Sequence, residues 1–79
     1  MRTYLVVWFS SDGMKPSEVT ERLLSMGFRP VEGEYDYVYQ WGAEADVDDI
    51  LRIGDQVQYA LRGSGILFKL ETITGNAED

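Results

Sequence analysis

A chain of 79 residues, 44% hydrophobic and 27% charged, makes one folded domain and excludes disorder along its whole length. It holds no cysteine and no histidine, which excludes disulfides, thiolate or imidazole metal sites, and Ser-His-Asp or Cys-His catalysis. The net charge of −7 sits between Arg29 and Arg52, where seven acids (Glu32, Glu34, Asp36, Glu44, Asp46, Asp48, Asp49) meet no base, and seven bases match the remaining acids.

The first element is a strand over Arg2 to Phe9. Both of its sides, Leu5-Val7-Phe9 and Tyr4-Val6-Trp8, are apolar, which predicts a central position in a sheet. The run is too short and too β-branched for a secretory leader or a membrane span, so the chain reads as mature, soluble and cytoplasmic. Ser10 to Gly13 is a turn. A helix follows from Pro16 to Met26: proline suits its first position, Glu18 suits the dipole, and Val19, Leu23 and Met26 share a face. Gly27 ends it, and Phe28 folds back onto it.

Phe28 to Gly42 predicts strand, broken near Gly33. Its second piece alternates, with Tyr35, Tyr37, Tyr39 and Trp41 on one face and Asp36, Val38 and Gln40 on the other. The next segment admits two readings. One is a single helix from Asp46 to Arg62 with Val47, Ile50, Val57 and Leu61 as its stripe. The other ends a short helix at Ile53, because Gly54-Asp55 is a stop, and folds Val57–Leu61 and Ile66–Leu70 as a hairpin around Gly63-Ser64-Gly65. A glycine costs about 1 kcal/mol inside a helix, and the hairpin uses both glycine clusters, so the hairpin is preferred. A last strand spans Ile66 to Ile73 in either case.

The preferred fold class is therefore α+β, a mostly antiparallel sheet with two helices on one face in the order β-α-β-β-α-β-β. The alternative is the ferredoxin-like order β-α-β-β-α-β. Residues 1–74 form the domain and residues 75–79 a flexible acidic tail.

Two constellations carry functional expectations. Glu44, Asp46, Asp48 and Asp49 crowd four carboxylates into six residues, a candidate site for weak calcium or magnesium binding. No EF-hand spacing supports it, since the loop would need glycine at Leu51 and glutamate at Val57. The structural alternative makes Asp46 a helix N-cap, with Asp49 three residues on as its reciprocal partner. Tyr35, Tyr37, Tyr39 and Trp41 are either core under the helices or, if the aliphatic sides of the other strands take that place, an open contact face. Tyrosine and tryptophan are enriched at protein interfaces. The segment's acidity argues against nucleic acid and anionic membranes as partners, since both are held by basic patches. No phosphate loop and no carboxylate pair with catalytic spacing is visible. The sequence thus predicts a non-enzymatic binding or assembly module that requires no cofactor and contacts a protein partner or its own copy. Cation binding at Glu44 to Asp49 is the alternative.

Overall fold

The computed structural model describes residues 1–42 and 45–73. In chain order the elements are β1 (Arg2–Trp8), α1 (Pro16–Ser25), β2 (Arg29–Pro30), β3 (Tyr37–Gln40), α2 (Val47–Leu61) and β4 (Leu67–Ile73). The strands form one sheet in the order β2-β3-β1-β4. β3 runs antiparallel to both β1 and β2, and β4 antiparallel to β1. β1 and β2 are therefore parallel with β3 between them, and β3 and β4 are parallel with β1 between them. These are two interleaved split β-α-β units, the ferredoxin-like order. The expected central place of β1 is the observed one.

α1 is built as its sequence dictates. Pro16 stands at the first helical position, and Val19 and Leu23 are its buried residues. At its end the Gly27 N–H donates to the Leu24 carbonyl at 3.0 Å and the Phe28 N–H to the Leu23 carbonyl at 3.1 Å. That double bond pattern is a Schellman motif, and it needs the positive φ of Gly27, +106°. Phe28 then turns inward and is fully buried.

The preferred hairpin is corrected: Gln56 to Leu61 is helix, and α2 runs unbroken through Gly54. Two terms outweigh the glycine. Ile53, Val57 and Leu61 recur every fourth residue and are all buried; burying one such side chain contributes about 1.5–3 kcal/mol. A reciprocal cap at Asp46 and Asp49 holds the first turn. The stripe also differs from the expected one, because Val47 is exposed and Ile53 takes its place in the core.

The Gly63-Ser64-Gly65 signal marks a helix end rather than a hairpin turn. The Ser64 hydroxyl donates to the Leu61 carbonyl at 2.5 Å and accepts from the Ile66 N–H at 3.1 Å. Both flanking glycines have φ of +77°. This loop packs on the turn after β1, where the Met14 N–H donates to the Ser64 carbonyl at 2.9 Å.

The core lies between the helices and one sheet face. Leu5 and Val7 from β1 meet Val19, Leu23, Phe28, Tyr37, Ile53, Val57, Leu61 and Ile66 there. Phe68 and Leu70, opposite Val7 and Leu5 in the β1–β4 register, pack against it. Among the described residues no helix is long and apolar enough to cross a membrane. The expected acidic tail, residues 75–79, lies outside the described residues.

Candidate functional site: the helix-free sheet face

Among the described residues, two helices on one side of a four-stranded sheet leave the other side without a helix layer. The β1 alternation decides which residues lie there. Thr3, Leu5 and Val7 are buried toward the helices, so Arg2, Tyr4, Val6 and Trp8 project from the opposite face. The registers extend this face sideways to Val38 and Gln40 on β3, and to Leu67, Lys69, Glu71 and Ile73 on β4. Trp8 and Leu67 are direct cross-strand partners, 52% and 71% exposed. Val6 beside them is half-buried.

The expected aromatic stripe is split between the two faces. Tyr37 and Tyr39 stand opposite Leu5 and Thr3, so they lie on the helix side. Tyr37 is buried, with its hydroxyl 2.6 Å from Thr20 Oγ1 on α1. Tyr39 meets the Phe28 ring edge-on at 5.4 Å and the Trp41 ring at 4.6 Å. Trp41 Nε1 donates to Thr3 Oγ1 at 2.7 Å, and that oxygen lies 2.7 Å from Thr72 Oγ1. The Tyr37 hydroxyl and the Trp41 N–H thus each have a partner, as a buried tyrosine or tryptophan requires. These three rings carry α1 and α2 on the sheet.

Tyr35 alone goes to the helix-free side, because β3 begins only at Tyr37. Its ring stacks on Tyr4 with centroids 4.4 Å apart and planes 24° apart, and its hydroxyl donates to Glu71 Oε1 at 3.0 Å. The ring therefore bridges from the β3 side across β1 to β4. Asp36 makes this crossing sound. Its N–H donates to the Leu5 carbonyl at 3.0 Å, and its Oδ2 accepts the Val7 N–H at 2.9 Å, which β3 does not reach. The bond to Glu71, followed by desolvation and the negative charges of Glu71 and Glu34, raises the Tyr35 pKa above its ordinary 10.0.

Sequence reading missed Asp36 and the Tyr4–Tyr35 stack. Alternation predicts a straight strand, and the break at Gly33 was the one signal that the chain leaves the ladder. For β1 the open-face alternative is the one that applies, since Leu5-Val7 and Phe68-Leu70 take the helix-covered side and leave Tyr4-Val6-Trp8 on the other.

In the acidic cluster, the Asp49 N–H donates to Asp46 Oδ1 at 3.0 Å and the Asp46 N–H to Asp49 Oδ2 at 3.1 Å. Arg52 Nη1 donates to Asp49 Oδ1 at 3.2 Å. Asp48 lies exposed in the first turn. Glu44 lies outside the described residues. Among the described residues no three possible ligands converge, and the positive end of a helix opposes a cation there. A groove of about 570 Å³ runs between α1 and α2, lined by Met26, Arg52, Asp55, Gln56 and Tyr59. It lies on the opposite side of the molecule from the sheet face.

Among the described residues, fold and face together define a class: a two-layer α+β domain with one helix-free, partly aromatic sheet surface. Comparison with known proteins returned no matching family model, no similar curated protein and no matching solved structure.

Proposed function

We propose that this protein is a small, acidic, non-enzymatic binding module that holds a protein partner on its helix-free sheet face. The Trp8–Leu67 pair carries the reading: two large apolar side chains meet across β1 and β4, more than half exposed, on the side no helix covers. Val6 and the stacked Tyr4–Tyr35 pair extend that surface, and of the four aromatic residues expected to make contact only Tyr35 belongs to it. The composition supports the non-enzymatic part, because histidine and cysteine, the usual bases and nucleophiles near neutral pH, are missing from the chain. The partner's chemistry follows from charge. Glu32, Glu34 and Asp36 flank the face from the segment that carries Tyr35, inside a stretch with seven acids and no base. A partner with an apolar patch rimmed by lysine and arginine complements it.

Photo-cross-linking tests this in cells of the source organism. A benzophenone amino acid replaces Trp8 in one variant and the exposed Tyr59 of α2 in a control. The proposal expects one dominant adduct from position 8, absent from position 59, identified by mass spectrometry as a protein with a basic surface. Repeated in lysate, it also expects the cross-linking yield to fall when salt is raised before irradiation, as an electrostatic rim requires. Equal, unspecific labelling from both positions sinks the proposal.

A further inference from the structure

The sheet has two outer strands, β2 and β4, and its two edges are built differently. β2 is two residues long and contains Pro30, which offers no N–H, so that edge is blunted. β4 runs for seven residues, Leu67–Ile73, with no proline. Which of its backbone groups are free follows from the neighbouring ladder. The Leu5 carbonyl accepts from the Asp36 N–H and the Val7 N–H donates to the Asp36 carboxylate, so the odd residues of β1 turn their main chain toward β3. The direction alternates, so Arg2, Tyr4, Val6 and Trp8 turn theirs toward β4 and engage Ile73, Glu71, Lys69 and Leu67. The N–H and C=O groups of Phe68, Leu70 and Thr72 therefore point outward from the edge. Among the described residues no strand pairs with them.

We infer that this edge pairs with the same edge of a second copy of the chain, antiparallel and centred on Leu70. A two-fold axis through Leu70 sets Lys69 opposite the second copy's Glu71 and Leu67 opposite its Ile73, all on the helix-free face. On the helix side it sets Phe68 opposite Thr72 and Leu70 opposite itself. The Lys69–Glu71 and Leu67–Ile73 pairs each occur twice and the Leu70 pair once, on the axis, as an isologous contact requires. Lys69 and Glu71 fall at the non-hydrogen-bonded positions of the new ladder, where side chains approach most closely. Lys69 is exposed and has no ion pair among the described residues, and Glu71 commits only Oε1 to Tyr35.

The register is specified. Centring on Lys69 or on Glu71 sets like charges face to face, and a shift of one residue crosses the two faces of the sheet. A lone lysine on an edge strand usually deters strand addition; here the glutamate two residues on turns it into a self-recognition signal. The product is an eight-stranded sheet with four helices on one side and two helix-free faces side by side on the other. This goes beyond the partner surface proposed above, since it uses an edge and not a face.

Sedimentation equilibrium of the full chain over a range of concentrations tests it, with amide exchange as a second readout. The expected dimer has twice the 9.0 kDa of one chain. Lys69→Glu, at an exposed position, raises its dissociation constant roughly tenfold or more by creating two like-charge contacts. Adding Glu71→Lys to that variant restores the dimer, and Trp8→Ser leaves it intact. The Leu70 and Thr72 amides exchange slowly in the dimer and fast at dilution. A wild-type chain that stays at 9.0 kDa up to several hundred micromolar overturns the inference. So does a dimer that ignores Lys69→Glu and dissociates in Trp8→Ser, an outcome that moves self-association to the sheet face.

Discussion

Gly13 and Ser64 show how closely two loops are held. A Cβ at Gly13 would come within 2.4 Å of the Ser64 carbonyl oxygen, a backbone atom fixed by its bond from the Met14 N–H. Gly13→Ala should therefore force the two loops apart at a cost of about 1–3 kcal/mol. Thermal unfolding would show this as a drop of several degrees, at ~4–8 °C per kcal/mol for a domain of this size. An unchanged midpoint would mean the loops give way freely. Tyr35 offers a titration instead. Its hydroxyl donates to Glu71, so ionising it both breaks that bond and sets two negative charges together, and its pKa stands above the free value of 10.0. Because the folded value is the raised one, the Tyr35 contribution to stability is full below pH 10.0 and is lost as pH rises through the folded pKa. Ultraviolet difference titration of Tyr35→Phe against wild type isolates this ring. Glu71→Gln should bring its midpoint back down, and a midpoint that stays put would remove Glu71 as the cause.

α2 shows local preference and tertiary burial opposed. Gly54-Asp55 reads as a stop in isolation, and a sequence window has no way to weigh it against three buried residues that only a packed sheet provides. The capping pair was legible because its signal is local, an aspartate and its partner three residues on. So was α1, whose proline start and glycine stop are local too. β2 and β3 were legible as two pieces of strand broken near Gly33, but the late start of β3 was not, because the departure of Glu32 to Asp36 from the ladder depends on Asp36 bonding to β1, a contact between residues 29 positions apart. The glycine in α2 now makes a prediction in the stabilising direction. A Cβ at Gly54 would lie 3.7 Å from Leu70 Cδ1, an ordinary contact. Gly54→Ala should then stabilise by about 0.5–1 kcal/mol. Asp46→Ala, which removes the cap, should destabilise by about 0.5–2 kcal/mol. Denaturant unfolding of the two variants checks both signs, and a destabilising Gly54→Ala would show that α2 and β4 need the missing methyl group's space.

At the scale of the whole chain, composition alone excluded histidine and cysteine chemistry, and the charge distribution put the acidic excess in the stretch that carries Tyr35. The four-residue aromatic stripe was legible as a strand and illegible as a face. Alternation assigns residues to sides only while the strand continues, and β3 starts two residues after Tyr35. The resulting division of the aromatics is the premise of the partner surface proposed for this molecule: Trp41 lies on the helix side, bonded to Thr3, and Trp8 stands outside. Acrylamide quenching of the two single-tryptophan proteins measures it directly. In Trp41→Phe the remaining Trp8, 52% exposed, should emit at a solvent-like wavelength and quench steeply, while in Trp8→Phe the remaining Trp41 should emit further to the blue and quench weakly. Trp8 quenching as weakly as Trp41 would mean that the sheet face is already covered, and would contradict the assignment of that face to a partner.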